Sequence, residues 1–169
     1  MSGSAAETTP TLAGFQAFVT NAVQIPASVL PANSPYFGYA YNVAISIVSK
    51  QLLLVDPGIY VLAVYNLAAN NLVNYAQDAP GAPPYGKMAG TNGDIEALPY
   101  FAYMRKKFGI VGFVPGVISS SSDQGTSQST EVLEGFKTMT LLDLNATHTP
   151  WGQTYLAFAS QIGSLWGAS

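Results

Sequence analysis

The sequence predicts a mainly α protein: a small helical bundle with extended β-like arms or a hairpin. Three observations carry this reading. Apolar residues recur at helical spacing in stretches that open on Thr-Pro, Ser-Pro or Asp-Pro, the signal of a capping side chain followed by a first-turn proline. Segments rich in proline, glycine and serine separate those stretches and cannot fill an interior. The 169 residues are 49% apolar, enough for a real core. No internal repeat or linker divides them, so a single domain is expected over 1–169, with arms near 79–97 and 119–130.

Taken in order, Thr9 and Pro10 read as the cap and first turn of a short helix through Asn21. Pro26 to Leu30 fits one further turn before Pro31. Ser34 and Pro35 open a second helix, apolar from Tyr36 to Leu54. Its polar positions Asn42, Ser46, Ser49 and Lys50 fall on one narrow stripe. Asp56 and Pro57 open a third helix reaching about Gln77, whose stripe is Asn66, Asn70 and Asn74. Such a stripe is either a solvent line or a row of hydrogen bonds across a subunit boundary. Ala79 to Ala97 reads as an extended arm, with Asn92–Gly93 closing a small hairpin. A short helix from Leu98 to Phe108 follows, stopped by Gly109. Ile110 to Ile118, punctuated by Gly112, Pro115 and Gly116, reads as strand or irregular chain. Ser119 to Thr130 is a polar arm, Thr140 caps a turn through Asn145, and Thr149–Pro150 opens a last helix to about Leu165.

Charge is the unusual property. Only 9% of residues are charged, against roughly 25% in an average soluble domain. No charged side chain stands between Thr8 and Ser49. With ten tyrosines and eight phenylalanines, this composition points to a surface that meets other protein as well as water. The net charge of −3 gives no footprint for wrapping nucleic acid. The absence of cysteine excludes disulfides and thiolate metal sites. The N-terminus lacks the basic and apolar regions of a signal peptide. Asp56 to Asp78 encloses enough uncharged residues to span a bilayer, but Asn66, Asn70, Asn71 and Asn74 would be costly in lipid. A buried helix is expected there, with no membrane partner.

No catalytic constellation is present, and neither an enzyme nor a cofactor is expected. Gly81-Ala82-Pro83-Pro84-Tyr85-Gly86-Lys87 resembles the start of a phosphate-binding loop, but Met88 stands where a hydroxyl should hold magnesium. Pro83 and Pro84 also remove N–H groups that would cradle phosphate. His148 is the only histidine and has no carboxylate near it in sequence. The serines of Ser119–Ser122 lack a base partner and a nucleophile elbow. Arg105, Lys106 and Lys107 form the only basic cluster. It either complements the carboxyl end of its own helix or, repeated around a ring, makes a positive band facing a channel. Trp151, Tyr155, Phe158, Ile162 and Trp166 make the last helix strongly apolar. That helix is expected to dock on another chain; the alternative is that it closes its own core.

Two features together resemble the head-to-tail connector (adaptor) proteins of tailed bacteriophages. One is the pair of apolar helices carrying Tyr39-Ala40-Tyr41-Asn42-Val43-Ala44 and Tyr60-Val61-Leu62-Ala63-Val64-Tyr65-Asn66-Leu67-Ala68-Ala69-Asn70-Asn71-Leu72. The other is the order of a Ser/Thr-rich stretch, Ser119 to Thr130, and then Thr149-Pro150-Trp151-Gly152-Gln153-Thr154-Tyr155-Leu156. The resemblance spans about Phe15 to Trp166. It departs at the arm 79–97, longer than the family's usual connection, and at the final helix, which lacks basic residues. The resemblance implies a ring, usually a dodecamer, in the neck of the virion between capsid and tail, made in the host cytoplasm. Its partners would be copies of itself, the portal and a tail or nozzle protein, with DNA only as passing cargo. The interface residues would include Trp151, Tyr155, Phe158, Ile162, Trp166, Asn66, Asn70 and Asn74. A helical module binding a small apolar ligand or lipid is the alternative, and a membrane-associated protein a third.

Overall fold

The computed structural model describes residues 8–89, 95–110, 120–123, 126–129 and 145–162. The protein is mainly α. Helix α1 (Leu12–Phe18) runs into a π-helical turn, Val19–Val23, which ends at Gln24 in the left-handed region. Helix α2 covers Pro35–Ile47, α3 Leu52–Val55 and α4 Pro57–Tyr75. Strands β1 (Gly86–Ala89) and β2 (Ile95–Leu98) pair antiparallel, with Ala89 opposite Ile95. Helix α5 (Tyr100–Lys107) follows. A second hairpin pairs β3 (Ser120–Asp123) with β4 (Thr126–Ser129). Helix α6 (Pro150–Ala159) ends in a 3₁₀ turn, Ser160–Ile162.

Helix α4 is the axis of the bundle, packed against α1, α2, α3, α5 and α6. Asp56 starts it as expected, its carboxylate accepting the N–H groups of Gly58 and Ile59. Apart from Leu62, every residue from Tyr60 to Val73 is buried. A helix surrounded on most sides needs apolar or small residues all round, and the sequence supplies valine, leucine, alanine and tyrosine there. Phe15, Val19, Leu52, Leu67, Leu72 and Phe101 fill the space between α4 and its neighbours.

Some boundaries differ from the sequence reading. The first cap is Thr11, not Thr9: its hydroxyl accepts the Gly14 N–H, and the Tyr65 hydroxyl bonds both its N–H and its carbonyl. A packing partner 54 residues away thus selects one threonine over the other. The expected single helix from Tyr36 to Leu54 is broken at Val48, where the backbone turns extended before Leu52–Val55. Val48 and Leu52 are both buried, and the bend between them lets both reach the core while the chain reverses toward α4. Isoleucine, valine and serine around the break are weak helix formers. The hairpin expected in the arm 79–97 is present as β1 and β2. Gly86 is required there because a Cβ would press on the Tyr103 ring. The segment 119–130 contributes β3 and β4. The Thr140 turn and the stretch 111–118 lie outside the described residues.

Candidate interaction surface

The two asparagine and serine stripes look alike in sequence and are opposite in space. On α2, Asn42 and Ser46 face outward, as do Ser49 and Lys50 beyond it. On α4, Asn66 and Asn70 are buried and Asn74 is half-buried. The solvent-line reading therefore fails for α4. Asn66 and Asn74 turn their Nδ2 groups back on α4, to the Leu62 and Asn70 carbonyls. Asn70 Oδ1 accepts the Thr149 hydroxyl at 2.7 Å, and Thr149 Oγ1 in turn accepts the Gly152 N–H at 2.9 Å. Thr149 is fully buried. The residue that caps α6 is thus pinned to the middle of α4, inside the same subunit. Asn70 cannot serve as an interface residue in this arrangement.

The same pinning corrects the expectation for the final helix. Tyr155 and Ala159 of α6 are buried against α4, and Trp151 packs edge-on against Phe108 at 5.8 Å. Phe158 is half-buried against the same core. The apolar face of α6 closes its own bundle because Gly152 lets the backbone approach Ala146 with no side chain between them. The Ile162 side chain and Trp166 lie outside the described residues.

The basic cluster is divided. Arg105 points inward, its Nε donating to the Phe101 carbonyl and its Nη2 to the Ala76 carbonyl at the end of α4. Burial lowers its pKa, with Asp78 and Tyr36 acting in the opposite direction. Asp78 caps α5 from a distance: its two oxygens accept the Tyr100 and Phe101 N–H groups at 2.6 and 3.0 Å. Arg105 and Asp78 together tie the end of α4 to the start of α5. Two of the five Arg105 N–H donors go to backbone carbonyls, so part of the guanidinium is committed within its own subunit. Lys107 is exposed, beside the Phe108 ring. Asp78 escaped the sequence reading because a side-chain cap normally lies next to its helix.

Tyr100 is strongly perturbed by its surroundings. Its pKa is raised from 10.0 to about 12, first by burial and then by Tyr85 and Asp78. The folded state therefore holds this proton more tightly than the unfolded chain. The resulting stabilisation is complete below pH 10 and is lost as pH rises toward about 12. The loss is on the order of 2 kcal/mol. A phenolate absorbance titration of the wild type minus Tyr100→Phe should show this group ionising near pH 12. A difference curve centred near 10 would contradict the burial argument.

Lys87 of the loop-like string lies in β1 opposite Ala97, so the string enters a strand where a phosphate loop would enter a helix. Among the described residues, no group of three or more metal-ligating side chains gathers. None of their helices is long and apolar enough to cross a membrane.

Part of what the bundle leaves exposed is apolar. Tyr39, Val43 and Ile47 line the outer flank of α2 at four-residue spacing. Leu53, Leu54 and Val55 continue the uncovered surface on α3, with Leu54 89% exposed. Tyr75 is exposed at the end of α4. Compared with known proteins, the chain matches no family model, no curated sequence and no solved structure.

Proposed function

We propose that the chain is a structural subunit of a phage head-to-tail connector ring, joining the portal to the tail and forming part of the DNA channel. The observation that carries this reading is the uncovered apolar flank of α2 and α3, on a chain with 9% charged residues. A ring subunit has neighbours on both sides and partners above and below, so such a flank is covered on assembly. Its partners are other copies of the chain, the portal, and a tail or nozzle protein. The net charge of −3 suits a wall past which DNA moves without being held. The alternative, a module for a small apolar ligand or lipid, is less well supported. The more enclosed apolar cavity measures about 200 Å3, below the roughly 300–1,000 Å3 of ordinary ligand sites, and the larger apolar hollow between α1 and α4, about 430 Å3, is more open to solvent.

Electron microscopy of the assembled particle is the direct test. A ring of this chain between portal and tail is expected, with each copy touching the next. Finding the chain elsewhere in the particle, or touching no copy of itself, would overturn the reading.

A further inference from the structure

The outer flank of α2 is a convex apolar surface. Tyr39, Val43 and Ile47 stand on it four residues apart, a ridge ~12 Å long. A concave apolar surface lies elsewhere, a hollow of about 430 Å3 between α1 with its π-helical turn and the first half of α4. One wall runs from Gly14 to Ala22 and the other from Gly58 to Tyr65. At the helical rise the α4 wall is ~10 Å long, close to the length of the ridge.

Ridge and hollow lie on opposite sides of α4. Asn71 lines the cavity against α2, and Leu62 lines the hollow. The nine residues between them make about two and a half helical turns, so their side chains leave α4 in opposite directions. Neither surface brings charge to a contact, since no residue from Thr8 to Ser49 or from Pro57 to Gln77 is charged. Tyr39, Val43, Ile47 and the adjoining Leu54 are 67%, 42%, 38% and 89% exposed. At ~150–250 Å2 for a whole large side chain, they offer on the order of 400 Å2. Covering them against an equal area makes a contact of about 800 Å2 in total, weak alone. A closed ring repeats such a contact at every subunit boundary, and holding each copy from both sides raises its effective strength.

We propose that the α2 ridge of one copy packs into the α1/α4 hollow of the next. A second copy is the occupant because it covers both surfaces at once, each with a counterpart of matching length, opposite curvature and no charge. A different partner would cover one and leave the other in water. The contact is head-to-tail, since ridge and hollow are different surfaces on opposite sides of α4, and contacts of that kind generate rings when the rotation closes. The inference rests on the ring reading and supplies its subunit contact.

The full chain has no cysteine, so introduced thiols report which surfaces meet. Val43→Cys marks the ridge and Leu62→Cys the hollow, and both positions are 42% exposed. The two single variants are mixed in equal amounts at about 1 mM and treated with a short bis-maleimide. The mixture should give at least about fivefold more linked dimer than either variant alone, because the contact sets ridge against hollow. A chain carrying both cysteines should give a ladder of linked species, since its own two thiols lie on opposite sides of α4. Adding Ile47→Glu to the Val43→Cys chain puts a charge in the ridge and should cut the mixed dimer at least about fivefold. Each variant should keep the wild-type circular dichroism. If a cysteine lowers the melting temperature by more than about 2 °C, Tyr39→Cys replaces the ridge thiol or Ala17→Cys the hollow thiol. Mixed dimer no more abundant than that of either variant alone would overturn the proposal. So would mixed dimer that is indifferent to Ile47→Glu. The ring reading is judged separately, by the assembled particle: a ring whose copies touch through other surfaces keeps that reading and removes this contact.

Discussion

Gly152→Ala is expected to destabilise the bundle by at least about 3 kcal/mol, because the new methyl group would overlap the Ala146 carbonyl. Backbone cannot step aside as a flexible side chain can, so α6 has to move as a unit. Moving it stretches the bond from the Gly152 N–H to Thr149 Oγ1 and then the bond from Thr149 to Asn70. The loss therefore includes a helix cap, worth about 1 kcal/mol by itself. It also leaves the buried Asn70 amide with neither polar atom bonded. For a chain of this size the melting temperature should fall by about 6–12 °C. Thermal unfolding followed by circular dichroism measures it. A fall of less than about 2 °C would mean that α6 is not held as described.

Phe15→Ala should cost about 3–5 kcal/mol, the range for emptying a buried aromatic site. Phe15 is fully buried in a nest of rings, 6.0 Å from Phe37, 6.3 Å from Tyr41 and 5.9 Å from Tyr65. It joins α1 to both α2 and α4. The neighbouring rings are themselves fixed: Tyr41 donates its hydroxyl to the Pro10 carbonyl, and Tyr65 bonds Thr11. They cannot collapse into the space without breaking those bonds, so the cavity stays open and the cost lies high in the range. Phe15→Leu keeps most of the volume and should cost less than about 1.5 kcal/mol. Urea unfolding of the two variants gives the comparison. A loss under about 1 kcal/mol for the alanine variant would remove Phe15 from the core.

The local signals in the sequence were legible wherever the deciding group lies within a turn of the residue. Asp56–Pro57 and Thr149–Pro150 start helices as their chemistry requires, and Gly109 ends α5 with positive φ. The Pro/Gly arm with Asn92–Gly93 carries a hairpin because two short strands flank the turn signal. What could not be read was which way each stripe faces. Asn42 and Ser46 on α2 have the same spacing and polarity as Asn70 and Asn74 on α4, yet one pair meets solvent and the other lies within the bundle.

By itself, then, the sequence determined a mainly α chain, its arms, most of its helix starts and its shortage of charge. Each of those follows from composition or from interactions within a few residues. Only the tertiary structure decided that Thr11 displaces Thr9 as the first cap, that Arg105 faces inward, and that α6 completes its own core. Each of these depends on a partner 29 to 79 residues away in the chain: Tyr65 for Thr11, Ala76 for Arg105, Asn70 for Thr149. The free energy of such pairings is set by which surfaces the whole bundle buries, and no periodicity along the chain encodes it.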